Sequence, residues 1–312
     1  MKRFKKILVV HDDGENGRAT LARAVELAKR NGAELTLIRV IDQVPDDFKM
    51  LIIAMTPAEI MKEAVREQEK QLTQYVASFG IPISVRVSSG REFLAIIREV
   101  LKNRHDLVIK TARGMTGTLG MLFGSTAMHL LRKCPCPVWL VKPGSGERYH
   151  RILAAVDVAP PEIEENDLNT KIMELAGSLA RLEKSELHIV HAWEKPDAGF
   201  LSGRLNYNPG EMSRLLNESE NMHLRWLDDF LSPFDLQGLQ HQEHVIAGWA
   251  DDVIPAFAEE WKIDLIVMGT VCRTGIAGFF MGNTAEKILH KVDCSVLAVK
   301  PDGFTSPVKL EK

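Results

Sequence analysis

The chain repeats itself, and the repeat limits the folds open to it more than any composition value does. Ile7-Leu-Val-Val-His-Asp12 returns as Ile152-Leu-Ala-Ala-Val-Asp157, 145 positions on. Ala33-Glu-Leu-Thr-Leu-Ile-Arg-Val40 returns as Ser185-Glu-Leu-His-Ile-Val-His-Ala192, 152 positions on. Asp106-Leu-Val-Ile-Lys110 returns as Asp264-Leu-Ile-Val-Met268, and Cys136-Pro-Val-Trp-Leu-Val-Lys-Pro143 as Cys294-Ser-Val-Leu-Ala-Val-Lys-Pro301, both 158 positions on. The order never changes and the spacing grows only twice. One duplicated unit with two loop insertions accounts for this, the first around Pro160-Pro161 and the second near residues 232–239. Two domains follow, residues 1–144 and 149–312, with Gly144-Ser-Gly-Glu-Arg148 as the linker after a Lys-Pro strand stop. At 312 residues, each half is long enough to bury its own core.

Within one unit, short apolar runs alternate with stretches of helical spacing. Residues 7–10 form a continuous apolar run, as expected of a strand covered on both faces. Leu21, Ala24, Val25 and Ala28 then recur at helical spacing, and Gly32 marks the stop. Residues 35–40 form the next strand. Thr56-Pro57-Ala58-Glu59 is a capping box with Pro at the first helical position, opening a helix to about residue 79. Asn208-Pro209-Gly210-Glu211 repeats that start in the second unit. Strands at 83–87, 107–109 and 138–141, with helices at 93–101 and 121–132, complete the unit. Strict alternation predicts a parallel sheet with helices on both faces, joined by right-handed crossovers. In such sheets ligands sit beyond the carboxyl ends of the strands where strand order reverses.

The balance of charge excludes other classes. Net charge is −3 with both signs interspersed, so there is no basic footprint for nucleic acid and no polybasic patch for anionic lipid. No stretch approaches the roughly 18 apolar residues of a membrane span, and the basic N-terminus lacks a signal-peptide core. Four cysteines are not a disulfide framework, which points to a reducing, cytoplasmic setting.

Two loops carry the chemistry. After the fourth strand stands Thr111-Ala-Arg-Gly114-Met-Thr-Gly-Thr-Leu-Gly-Met-Leu-Phe-Gly124-Ser125-Thr126. Its second copy is Gly269-Thr-Val-Cys272-Arg-Thr-Gly-Ile-Ala-Gly-Phe-Phe-Met-Gly282-Asn283-Thr284. Glycines admit close approach by a ligand, and successive N–H groups before a helix favour an anion. Asp12 and Asp157 follow the first strands, where a carboxylate can accept from a ribose hydroxyl or an adenine amine.

Strand-Asp, then Gly-x2-Gly-x9-Gly-Ser/Thr, then an apolar Cys-Pro-Val strand resembles the universal stress protein family, and two units in one chain resemble its tandem bacterial members. The resemblance implies two five-stranded doubly wound parallel sheets of the adenine nucleotide alpha hydrolase-like kind, strand order 3-2-1-4-5. It implies a non-enzymatic stress-response regulator binding ATP or another nucleotide-containing ligand, with no metal required. The residues it assigns to the ligand in the first copy are Asp12, Val40, Thr111, Gly114, Gly124, Ser125 and Thr126. In the second they are Asp157, Ala192, Met268, Gly269, Gly282, Asn283 and Thr284. It further implies that the fifth strands pair within the chain as a pseudo-dimer, with a homodimer and protein partners left open.

Both copies depart from the pattern. Thr111 replaces the opening glycine of the first; Cys272 and Asn283 replace the middle glycine and the hydroxyl residue of the second. A Cβ there clashes with a phosphate or blocks a positive φ. Three readings therefore compete with plain nucleotide binding. One is a slow ATPase or autophosphorylating protein with Ser125 as acceptor, although no general base stands beside it. Another is an interaction module with empty sites. The last is a cleft for a nucleotide with an apolar tail, suggested by the Met-rich run at 48–55. Cys134 and Cys136 lack the second half of a zinc site, and His188 and His191 point to opposite faces of one strand. His241 and His244 have no evident partner in the sequence.

Overall fold

A computed structural model describes residues 4–43, 56–112, 123–160, 167–195, 209–270 and 281–310. The chain divides into two compact units, Met1–Glu147 with Gly303–Lys312, and Arg148–Cys272 with Met281–Asp302.

The first unit runs β1 (Lys6–Val10), α1 (Gly14–Asn31), β2 (Glu34–Ile41), α2 (Pro57–Val76), β3 (Ile83–Ser89), α3 (Glu92–Asn103), β4 (Leu107–Thr111), α4 (Ser125–Lys133) and β5 (Val138–Val141). The second repeats the order as β6 (Arg151–Val156), α5 (Asp167–Glu183), β7 (Glu186–Trp193), α6 (Pro209–Leu231), β8 (His241–Ala247), α7 (Ala250–Glu260), β9 (Leu265–Gly269), α8 (Asn283–Lys291) and β10 (Ser295–Val299). Strand order is β3-β2-β1-β4-β5 in the first unit and β8-β7-β6-β9-β10 in the second. All the pairings within each unit are parallel. An isolated bridge at Met281 stands apart from these strands.

Local signals account for the elements. β1 and β4 are apolar throughout their central residues and buried, because helices cover both faces. The predicted capping box is present: Thr56 N–H donates to Glu59 Oε2 at 2.8 Å, and Glu59 N–H donates to Thr56 Oγ1 at 3.3 Å. The long helix it opens gives way to a 3₁₀ turn at Ala77–Phe79. Two helices differ from their sequence-predicted starts. α1 begins at Gly14, straight after Asp13, seven residues before Leu21, the first residue of the apolar spacing. α4 begins at Ser125, with Gly124 at its N-cap.

Insertions do not disturb the sheet. The first lies where residues 161–166 fall outside the described residues, and the second between α6 and β8. Asn208 and the Met-rich run at 48–55 also lie outside them. Among the described residues, no helix is long and apolar enough to cross a membrane.

Candidate functional site

Strand order reverses between β1 and β4 in the first unit and between β6 and β9 in the second. At each reversal two neighbouring strands send their loops to opposite faces, leaving a crevice at their carboxyl ends. Val9 pairs with Ile109, which sets Asp12 beside the end of β4. Ala155 pairs with Met268, which sets Asp157 beside Gly269 and Thr270. The predicted carboxylates and loop starts are thus brought together in both units. Val40 lies in β2 and Ala192 in β7, one strand further out. Gly114 and Cys272 lie outside the described residues.

The two crevices are walled by different solutions to one packing problem. In the second unit, a Cβ at Gly269 would stand 2.6 Å from Leu168 Cδ2 on α5. This glycine is therefore favoured by the helix beneath it, whatever the loop binds. In the first unit, Thr111 occupies the same place, and its buried hydroxyl bonds that of Thr20 on α1 at 2.9 Å. Bare backbone under a leucine has become threonine against threonine.

The turn into the first helix of each unit shows the same exchange. A Cβ at Gly17 would overlap the backbone carbonyl oxygen of Asp12, so α1 approaches that turn only because Gly17 has none. Asn169 replaces it in the second unit. Its side-chain oxygen accepts from Asp157 N–H at 3.1 Å, and its amide donates to the Asp157 carbonyl at 2.7 Å. Asp12 is buried while Asp157 is exposed.

Glycine at the helix caps has another purpose. Gly124 and Gly282 have φ of −64° and −63°, so their backbone does not demand glycine. What glycine supplies is an N-cap without a side chain, so no side-chain cap bond covers the first amides of α4 or α8. In the second unit, Gly282 N–H donates to the Thr270 carbonyl at 3.1 Å, tying the helix start to the end of β9. Thr270 is wholly buried, and its hydroxyl has no hydrogen-bond partner among the described residues. Its counterpart in the first unit is Ala112.

Charges line the first crevice more densely. Arg39 forks onto Asp13, with Nη1–Oδ1 at 3.0 Å and Nη2–Oδ2 at 3.1 Å. His11 Nε2 lies 3.2 Å from the same carboxylate, and its ring meets Tyr75 edge-on. Burial and the Arg39 charge hold the His11 imidazole below its usual value, against the pull of Asp13 and Asp12. Burial would raise the Asp13 carboxyl, but the Arg39 guanidinium keeps it below its usual value. Inside β4, buried Lys110 donates to Glu92 Oε1 at 2.8 Å; Met268 takes its place in the second unit.

The second unit carries imidazoles on both faces of β7 that the sequence did not pair. His191 Nε2 lies 2.8 Å from Nδ1 of His223, which comes from α6. His223 stacks on Trp193 at 4.9 Å and meets Trp226 edge-on at 4.7 Å. On the other face of β7, His188 Nδ1 lies 3.2 Å from His244 Nε2, so His244 does have a partner. Cys134, Cys136 and Cys294 are buried, and no cluster of three or more metal-ligating side chains occurs among the described residues.

A doubly wound parallel sheet, with a carboxylate after its first strand and a bare glycine cap after its fourth, defines an α/β protein built around a switch-point crevice, here present twice. The universal stress protein family matches residues 3–142 and 148–300, and the chain belongs to that family in two tandem copies. It is 31% identical to universal stress protein E of Escherichia coli, over 100% of this chain and 98% of that protein. It is 30% identical to universal stress protein E of Photorhabdus laumondii, over the full length of both. Among solved structures, a functionally unknown protein from Pseudomonas aeruginosa superposes with a TM-score of 0.70 at 26% identity, covering 96% of this chain and 94% of that one.

Proposed function

We propose that this chain is a non-enzymatic regulatory protein whose second unit binds a nucleotide-like ligand through its phosphate groups. Thr270 carries the reading. A buried hydroxyl without a described partner costs on the order of 1–3 kcal/mol unless something meets it. Here it stands on the residue that anchors Gly282, at the start of a nine-residue helix with no side-chain cap. An anion at that helix start would take up the free amides and the helix dipole together. Asn283 and Thr284 open the same helix, and Asp157 directly follows the neighbouring strand, where a ribose hydroxyl would be held.

The first unit is the weaker candidate. Ala112 offers no hydroxyl, and that of Thr111 already bonds Thr20. The pattern fits one binding unit and one scaffold unit, with residues 145–148 as the boundary. No general base stands beside Ser125 in the sequence, which favours binding over phosphoryl transfer.

Isothermal titration of the full chain with ATP, ADP and AMP tests this. Thr270→Val keeps the volume and removes the hydroxyl. It should weaken nucleotide binding about tenfold, the scale of one hydrogen bond to a charged group. Absence of heat with all three nucleotides, or equal affinity in wild type and Thr270→Val, overturns the assignment.

A further inference from the structure

We propose that the His191–His223 pair is an acid-labile fastening that holds the middle of α6 against β7 and lets go as two protons accumulate on it. Two neutral imidazoles share one N–H···N bond when one ring donates and the other accepts. A first added proton preserves the bond. A second turns both facing nitrogens into donors and places two cations at 2.8 Å in a part-buried setting. His191 is almost wholly buried and its Nδ1 lies 3.4 Å from the Val156 carbonyl, so it has little room to turn away. His223 is the movable member, carried on α6 between Trp193 and Trp226.

The surroundings set the acid range. Burial holds His223 below its usual value, and Asp157 at the end of β6 pulls the other way. A second pair on the opposite face of β7, His188 with His244, is packed by Phe257 and Trp261 and faced by Glu186, itself beside Arg151. It joins β7 to β8 and leaves α6 untouched. The first unit has no such device. Gln71 takes the place of His223 and Arg39 that of His191. His11, beside Tyr75 of α2, faces Asp13, so its proton completes an ion pair.

The device needs no bound ligand, so its test is independent of the nucleotide reading. Histidine-selective ¹⁵N NMR of the full chain should show His191 and His223 titrating as a coupled pair, with the second proton entering clearly below pH 6.5. Amide exchange, corrected for its intrinsic pH dependence, should show residues 212–226 opening about tenfold more often at pH 5.5 than at pH 7.5, one pKa unit of coupling. Residues 60–75 of α2 should not change. In His223→Gln, which copies the first unit, the acid-driven opening of α6 should disappear. Independent titration of both rings near 6.5, or an acid response of α6 that persists in His223→Gln, overturns the proposal. Should that variant fail to fold, the wild-type titration alone decides.

Discussion

Gly17 and Gly269 both sit at close approaches, yet they meet different neighbours. Gly17 faces the backbone carbonyl of Asp12, which cannot move without pulling β1. Gly269 faces the end of the Leu168 side chain, which can change rotamer. Gly17→Ala should therefore cost about 3 kcal/mol or more, and Gly269→Ala only about 1 kcal/mol. Urea denaturation of the two variants checks this, and a reversed order would mean that α1 slides freely over its turn. Alanine at 269 alone should strain the packing, whereas threonine at 111 is accommodated because α1 offers Thr20. The eroded opening glycine is thus half of a matched pair, and a one-residue reading of the motif takes it for damage.

Equivalent helices close differently in the two units. α1 ends on Gly32 at φ 63°, the left-handed conformation that glycine adopts without strain. At the matching place after α5, Lys184 has φ 55°, with a side chain in that same conformation. Arg104 and Lys262, at φ 56° and 51°, are the corresponding pair after α3 and α7. The repeated geometry belongs to the fold, and only one of the four sites uses glycine for it. Lys184→Gly should stabilise the protein by about 0.5 kcal/mol, the relief of left-handed strain less the added freedom of the unfolded chain. A thermal melt that moves downward would refute this. Helix starts show the complementary case: the box at Thr56 and Glu59 is visible in four letters because all its atoms are local.

For the molecule as a whole, burial leaves its mark on the acid side of neutrality. His11, His105, His129, His188, His223 and His244 are all held below their usual value of 6.5, burial being the largest cause each time. The unfolded chain binds those protons more readily than the folded one. Stability is therefore full above about pH 7 and falls as pH drops through 6.5 toward the folded values. Asp13 and Asp251 act lower down. Arg39 offsets the burial of Asp13, and a hydrogen bond from Lys287 lowers Asp251, so both stay below 3.8. Their contribution persists until pH falls through that lower range. The thermal midpoint should hold level from pH 8 to 7 and decline from about 6.5. A level midpoint down to pH 5 would contradict this account.

The doubling, the alternation of strand and helix, and the place of the crevice were legible from letters alone, since each rests on spacing along the chain. Asp12 and Asp157 could be set at strand ends because parallel order follows from the crossovers. The walls of the crevices could not be read this way. Thr111 bonds a hydroxyl 91 residues away, and His191 meets an imidazole 32 residues away on a helix whose rotation no local pattern specifies. That the Thr270 hydroxyl finds no partner among the described residues likewise emerges only from the packing around it. Periodicity encodes which face of an element is buried. Which side chains meet across that face is decided when helices settle onto the sheet.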